Sequence, residues 1–304
     1  MTDLHEALDR ACADVGISVP KETREGAWVR TDTFSGRNGK GDGSVKVNGD
    51  IVFAMNFQTG QRAAVRIGDP SQPVDRKAIA QRVANDRRRA REKAEDAAAV
   101  ARLLVDHAKM GTHPYLALKG FPKEKTLIVP AQAVARIGGK YLMVEGADRA
   151  ILLPARIGRD VVSAQIIWPD GTKKFLYGGQ MDGATYRLSV GAETWVCEGF
   201  ATGLSLLAAL RGMNRRDGVV CGFSAYGVYA AARTMQGRVW LAVDHDKPLP
   251  QFDGLGTGEH WARQANRSYA MPPHLGDDIN DLHVGHGIYA VQRLLRDTIR
   301  KAAV

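Results

Sequence analysis

The stretch from Glu193 to Asp281 constrains the fold most, because short apolar runs alternate in it with helical patterns. The apolar runs cover residues 194–198, 219–223, 238–243 and 268–271, and the helical patterns cover about 202–211, 225–235 and 259–267. Two of the runs are continuously apolar, as is typical of strands that helices cover on both faces. This order of strand and helix predicts an α/β region with a parallel sheet flanked by helices.

Acidic residues follow two of these predicted strands at the point where each strand ends. Glu198 ends the first apolar run, and Asp244 and Asp246 come directly after the third. The carboxyl ends of parallel strands face one crevice, so these side chains are expected to converge. Carboxylates are the ligands that Mg²⁺ prefers, and the pattern therefore predicts a metal site. The competing interpretation of the Asp pair is a capped turn after a strand.

The first 75 residues predict a small, β-rich N-terminal module. An amphipathic pattern at residues 3–15 indicates one helix, and four short β-type runs follow within residues 27–67. Asn48-Gly49 and Thr59-Gly60 separate these runs with the chemistry of hairpin turns. The Gly-rich loop 35–43 lacks the spacing of a phosphate-binding P-loop, which favours a hairpin tip, and residues 68–73 are predicted to be a linker.

A basic helical connector is predicted for residues 76–110. Residues 76–109 carry ten Lys or Arg and five Asp or Glu, a net charge of +5 out of the +9 of the 304-residue chain. Arg87, Arg88, Arg89 and Arg91 crowd one part of the helix. Such a run is explained equally by a nucleic-acid contact and by a solvated helical face.

Residues 111–192 predict a basic, mixed α+β subdomain with strands at 113–116, 127–130, 141–144, 151–154 and 161–168. Strand faces alternate, so only one of the neighbouring cations Lys173 and Lys174 can point into a shared crevice. Lys119 is predicted to bind phosphates, and Trp168 is a candidate platform for base stacking.

A last helix at 288–303 is predicted to dock onto the sheet.

The cysteines and the hydropathy pattern restrict the class of protein. Three cysteines without a C-x2-C pair argue against a zinc ribbon and a disulfide framework, and they fit a reducing cytoplasm. The polar N-terminus and the lack of an apolar run near 18 residues predict neither secretion nor a membrane span. The net charge of +9 and the pI near 9.5 favour an acidic partner such as nucleic acid.

The acid-Gly pair at Glu198-Gly199 and the later D-x-D at Asp244 and Asp246 resemble the Toprim domain of bacterial-type primases, topoisomerases of types IA and II, and some nucleases. Further blocks are similar to phage and plasmid primase-like Toprim proteins, so that the likeness spans about residues 110–285 and, more loosely, residues 27–67. These blocks are 114–120 (PYLALKG), 127–130 (LIVP), 169–179 (PDGTKKFLYGG), 197–203 (CEGFATG) and 276–282 (GDDINDL).

The resemblance implies a primase core whose basic subdomain, 111–192, precedes a Toprim catalytic domain, 193–285, and a C-terminal helix, 286–304. Glu198 matches the glutamate that is essential to chemistry, as general base or metal ligand. Asp244 and Asp246 match the acids that bind Mg²⁺, with Mn²⁺ as the substitute. Asp278 and Asp281 match the acids of the last block, and Asp278 is the further candidate ligand. The basic residue near nucleotide or template falls on Lys174, and Lys173 and Lys119 are the neighbouring candidates.

The implied activity is that of a DNA primase, which makes short RNA primers on single-stranded DNA by Mg-dependent nucleotidyl transfer for a plasmid or phage. Its partners would be single-stranded DNA, NTPs and a separate replicative helicase, because the chain has no Walker A motif. No zinc is expected, since the cysteines of the zinc module of cellular primases are missing. The alternatives are a Toprim-type nuclease and a non-catalytic DNA-binding replication module. A topoisomerase is not expected, because the chain has no room for the domains that carry its nucleophilic tyrosine.

Overall fold

A computed structural model of the chain describes residues 2–34, 41–68 and 76–302. It divides the chain into two compact units, Met1–Ile79 with Pro248–Thr257, and Ala80–Lys247 with Gly258–Val304. The assignment of 248–257 to the first unit was not foreseen from the sequence. Most of the Gly-rich loop 35–43 and of the linker 68–73 lies outside the described residues, so both interpretations stay predictions. The division into five segments also stays a prediction.

The first unit contains one helix against an antiparallel sheet, which confirms the predicted elements. Its sheet has the order β1-β2-β3-β4, and α1 contacts β3 and β4. The elements are α1 (Leu4–Val15), β1 (Trp28–Thr31), β2 (Gly43–Asn48), β3 (Ile51–Asn56) and β4 (Arg62–Arg66). Asp3 caps the helix by accepting a hydrogen bond of 2.8 Å from the Glu6 amide. Gly49 takes a positive φ of 63° at the β2–β3 turn, as the Asn-Gly pair predicts.

The predicted basic connector is a single helix, α2 (Arg76–His107). Its C-terminal half packs in the core of the second unit through Ala97, Ala101 and Leu104, which are almost fully buried. The part around residues 87–91 is exposed. The helix is therefore anchored at one end and solvated along its most basic part.

The middle of the second unit is a five-stranded antiparallel sheet of order β5-β6-β7-β8-β9. Its strands are β5 (Lys109–Gly111), β6 (Thr126–Pro130), β7 (Arg149–Ile157), β8 (Asp160–Ile167) and β9 (Lys173–Phe175). Helix α3 (Pro114–Leu118) follows β5, and the short α4 (Ala131–Ala133) with a π-helical turn (Val134–Gly138) follows β6. Strands near 127–130, 151–154 and 161–168 are confirmed.

Two strands predicted in this region are wrong. Residues 114–116 belong to α3, because His113 caps the helix by accepting a hydrogen bond from the Tyr115 amide and Pro114 occupies its first turn. The apolar run 141–144 predicts a strand, whereas the structure has a 3-10 turn at Lys140–Leu142. A short apolar run does not by itself separate a strand from a buried turn.

The parallel sheet predicted from 193–281 is present, with the order β10-β12-β11-β13-β14. Strands β11 to β14 pair in parallel, and β10 lies antiparallel at one edge. The strands are β10 (Tyr186–Ser189), β11 (Thr194–Cys197), β12 (Gly218–Cys221), β13 (Val239–Ala242) and β14 (Tyr269–Ala270). The helices are α5 (Phe200–Gly212), α6 (Ala225–Thr234), α7 (Thr257–Gln264), α8 (Ile279–His286) and α9 (Ile288–Lys301).

Helices cover both faces of this sheet. Side chains of α5, α8 and α9 pack with Trp195, Cys197, Trp240 and Ala242 on one face. Side chains of α6 and α7 pack on the other face, where Val196 and Leu241 point. The predicted docking of the last helix is confirmed, since Val291 and Leu295 of α9 are fully buried in the first of these clusters. Among the described residues, no helix is both long and apolar enough to cross a membrane.

Candidate active site

The predicted acids lie at one edge of the parallel sheet because they follow two neighbouring strands. Strands β11 and β13 pair directly, with Cys197 opposite Ala242, so Glu198 and Asp244 leave the sheet at the same end. Asp246 lies two residues further and accepts a hydrogen bond of 2.9 Å from the amide of Gly258 in the first turn of α7. Gly258 lies tightly against the Asp244 backbone, where a Cβ would come within 2.9 Å of the Asp244 carbonyl oxygen.

The carboxylates of this group raise the pKa values of one another. Glu198 is partly exposed, but protein surrounds its carboxylate. This burial raises the pKa of Glu198 to about 7, and the negative charges of Asp246 and Asp278 contribute to the rise. Burial also raises the pKa of Asp244 well above its usual value, and Glu198, Asp278 and Asp246 add to the effect. The pKa of Asp246 is raised mainly by burial. Negative charge is therefore crowded at this edge.

One oxygen of this group has no partner. Oδ1 of Asp244 is buried and accepts no hydrogen bond from the described residues. A buried acceptor left without a donor is costly, and such atoms mark places where a ligand or ion completes the structure. In the described part of the chain, no three His, Cys, Asp or Glu side chains are arranged to hold a metal ion by themselves. Joint ligation by Glu198, Asp244, Asp246 and Asp278 stays a prediction.

Asp278 reaches the same edge from the N-terminus of α8. It forms a capping box with Asp281, in which each carboxylate accepts a hydrogen bond from the amide of the other residue, at 2.9 and 3.1 Å. The loop before α8 is tied to His245, whose amide donates to Asp277 O at 3.0 Å and whose carbonyl accepts from Gly276 N at 2.7 Å. This positioning role of His245 was not predicted from the sequence.

The His245 ring supports the same loop. Its Nδ1 lies 2.9 Å from the carbonyl oxygen of Pro272 and donates to it. Backbone and ring together therefore fix the segment that leads to Asp278. A histidine between two acids carries no sequence signal for such contacts, because its partners lie more than 25 residues away.

Of the two adjacent lysines, Lys173 faces the carboxylates. Its charge lowers the pKa of Glu198 and of Asp244, and its Nζ lies 3.9 Å from the position that a Cβ on Gly199 would occupy. Nζ of Lys174 donates instead to the carbonyls of Tyr141 and Met143, at 2.9 and 3.0 Å. The alternation of faces was predicted correctly, but the choice of Lys174 for the crevice is wrong.

A cavity of about 270 Å³ adjoins this edge, with Lys119, Lys173 and Asp278 in its wall. Lys119 Nζ lies 3.5 Å from Oδ1 of Asp281. Tyr115, which sequence reasoning missed, also lines the cavity, and burial with the charges of Asp278 and Asp281 raises its pKa to about 12. Tyr115 belongs to the sequence block 114–120 used for the resemblance, which was the available signal.

Two further candidates do not join this site. Arg87, Arg88, Arg89 and Arg91 are exposed on α2, where Arg91 pairs with Glu95 at 2.8 Å and Arg88 with Glu92 at 3.8 Å, as on a solvated helical face. A role of these arginines in nucleic-acid binding stays a prediction. Trp168 is fully buried and its Nε1 donates to Leu142 O at 2.8 Å, so the predicted stacking platform is wrong.

Comparison with known proteins gives a limited result. No family model matches the chain. The chain is similar to the primase fragment of the bacteriophage T7 primase-helicase protein, with a TM-score of 0.38 and 14% identity, over 56% of this chain and 66% of that chain, just under two thirds of it.

A second similar structure is that of bacteriophage T7 lagging-strand DNA polymerase interacting with primase domains of two gp4 subunits bound to an RNA/DNA hybrid and dTTP. The TM-score is 0.37 at 16% identity, over 50% of this chain and 78% of that chain. Likenesses at these TM-scores do not establish a shared fold, and nothing about activity follows from them.

Proposed function

We propose that the chain is a DNA primase that makes short RNA primers on single-stranded DNA. The observation that carries the proposal is the crowding of Glu198, Asp244 and Asp246 at one edge of a parallel sheet, with a buried, unpartnered oxygen on Asp244. The strand order and the acid-Gly and D-x-D positions support a Toprim domain. Lys119 and Lys173 in the adjoining cavity supply the positive charge that a nucleoside triphosphate requires.

The donor set fits Mg²⁺, with Mn²⁺ as a substitute. Mg²⁺ usually keeps several water molecules and takes only one or two protein carboxylates together with substrate phosphates. Asp244 and Asp246 would hold it, and Glu198 and Asp278 lie close enough to add negative charge. The chemistry that bound Mg²⁺ supplies is a lower pKa for the attacking hydroxyl and neutralisation of the leaving pyrophosphate.

The side chains of this site have separate tasks in nucleotidyl transfer. The 3′-oxygen of one nucleotide forms a bond to the α-phosphorus of the next, the bond between that phosphorus and the bridging oxygen to the β-phosphate breaks, and pyrophosphate leaves. Glu198 would accept the hydroxyl proton as general base, since burial raises the pKa of its carboxyl group and makes the carboxylate more basic. The alternative role of Glu198 is that of a metal ligand. Lys173 and Lys119 would bind the triphosphate and orient it.

The broader role in this proposal is replication of a mobile element such as a plasmid or phage. The partners are single-stranded DNA, NTPs and a separate replicative helicase. In this scheme residues 27–67 select the template without zinc.

The test is primer synthesis by the full chain on single-stranded DNA, with labelled NTPs and either Mg²⁺ or Mn²⁺. Short RNA products are expected from the wild type and from Asp182→Ala, which removes an exposed aspartate that does not line the cavity beside the carboxylates. Asp244→Ala should yield none. Shortened DNA instead of new RNA would identify a nuclease. Template binding without either product, and unaffected by Asp244→Ala, would identify a non-catalytic module.

A further inference from the structure

Two adjoining cavities form a groove along the edge strand β14 and helix α9. Their volumes are about 640 and about 460 Å³, and Met271 and Leu294 belong to the walls of both. We propose that this groove, called here the β14 groove, binds a single strand of nucleic acid. It lies apart from the cavity beside the carboxylates and shares no wall residue with it.

The charge of the β14 groove suits a polyanion. Four cations are in its walls: Arg263, Arg267, Arg293 and Lys301. All four are exposed, and Arg267 and Lys301 form no ion pair with any residue that the structure describes. Asp297 is the one carboxylate among the wall residues of the two cavities. Arg263 is held by Glu259 at 2.6 Å, so the cations free to meet phosphates are Arg267, Arg293 and Lys301.

The remaining walls suit nucleobases better than an acidic peptide. The side chains of Met271 and Leu294 give the groove an apolar floor. The exposed rings of His274 and His286 stack on each other at its other end, with centroids 5.7 Å apart and planes 26° apart. Single-stranded nucleic acid is bound by this combination, in which cations follow the phosphates and ring faces stack with bases.

One loop connects the β14 groove with the candidate active site. His274 lies in the loop that His245 fixes through Pro272, and the same loop leads to Asp278. From there the groove follows α9 to Lys301 in its last turn. A strand that passes the carboxylates could therefore continue into the groove. Naming that strand as template or product rests on the proposed function, whereas binding itself does not.

The first test measures binding by fluorescence anisotropy, with labelled oligo(dT) of about 30 nucleotides, without NTPs or metal. The double variant Arg267→Ala/Lys301→Ala is expected to bind about tenfold more weakly at low salt. The slope of log K against log salt should become shallower by about 1.4, since each phosphate contact with a single strand contributes roughly 0.7. The matched control is Arg211→Ala/Arg216→Ala, which removes two exposed cations outside the groove.

The second test separates nucleic acid from an acidic protein partner. His274→Ala/His286→Ala should weaken binding of oligo(dT) several-fold but leave binding of labelled poly-L-glutamate unchanged, because only bases stack. Equal losses for both polyanions would overturn the proposal in favour of an acidic partner. A groove variant that binds like the control would overturn it outright. Both binding tests are done without NTPs, so their results would stand even if the chain failed to synthesise primers.

Discussion

Two groups of acidic side chains lie at opposite ends of the paired parallel strands β11, β12 and β13, and their surroundings differ. Glu193 precedes β11 and Asp217 precedes β12, and Arg215 joins them through hydrogen bonds of 2.7 and 2.9 Å. Indole groups complete the pairing, since Trp240 donates to Glu193 at 2.6 Å and Trp195 donates to Asp217 at 3.1 Å.

At the other end of β11, no residue that the structure describes pairs with Glu198 in this way. Together with Asp244 and Asp246, Glu198 has a raised pKa, and none of the described residues donates a hydrogen bond to Oδ1 of Asp244. The paired end therefore stabilises the fold, whereas the crowded end stores unfavourable electrostatic energy that a bound cation can release. Burial of acids does not distinguish a functional site from a structural one, but their state of pairing does.

The largest expected effect is on activity at the crowded end. Asp244→Ala and Glu198→Gln should each lower the rate of primer synthesis about a thousandfold, because each removes charge that acts on the reacting groups. The measurement is the yield of labelled RNA under identical template and Mg²⁺ conditions. Retention of more than a tenth of the rate by either variant would break the assignment of function to this end.

Removal of the cation from the paired end should instead cost stability. Arg215→Ala leaves Glu193 and Asp217 without their shared guanidinium, and we expect the free energy of unfolding to fall by about 2 to 3 kcal/mol. Urea denaturation followed by circular dichroism measures this change. Arg215→Lys should recover part of it. Primer synthesis per folded molecule should remain at the wild-type level.

The two adjacent lysines provide the next test. Lys173→Ala should raise the KM for NTPs about tenfold, because it removes a cation that faces the carboxylates and the cavity. Lys174→Ala should leave the KM unchanged and lower stability, since it leaves the carbonyls of Tyr141 and Met143 without their donor. Steady-state kinetics and thermal melts of both variants separate the two outcomes, and the reverse pattern would restore Lys174 as the nucleotide contact.

The smallest expected effect is on the pH dependence of stability, and it is tested at the two glutamates that flank β11. The pKa of Glu198 rises from 4.5 to about 7 on folding, so the folded state binds more protons between these values and stability falls as pH rises through them. Glu198→Gln removes this cost and should be about 1 to 2 kcal/mol more stable than the wild type at pH 8, with little difference at pH 4.

Glu193→Gln is the matched control for this effect. It weakens the charged hydrogen bonds from Arg215 and Trp240, so it should lower stability at pH 8. Chemical denaturation of both variants at pH 4 and pH 8 provides the comparison. A change of the same sign in the two variants at pH 8 would contradict the contrast between the two ends.

The order of elements and the identity of the acids were predictable from local pattern. Continuous apolar runs such as 219–223 indicated covered strands, and an acid after such a run indicated a place at the strand end. Local pattern was insufficient for residues 113–116 and for Trp168. The helix at Pro114 depends on a cap from His113, and Trp168 is buried by contacts with residues distant in the chain.

By itself, the sequence determined that a parallel sheet forms and that Glu198, Asp244 and Asp246 follow its strands, because hydrophobic periodicity and strand ends are local properties. Only the tertiary structure decided that Lys173 rather than Lys174 faces these acids and that His245 holds the loop before Asp278. It also decided that Glu193 is paired while Glu198 is not. The physical reason is that strand register and the distance between charges depend on how distant segments pack, which no local pattern specifies.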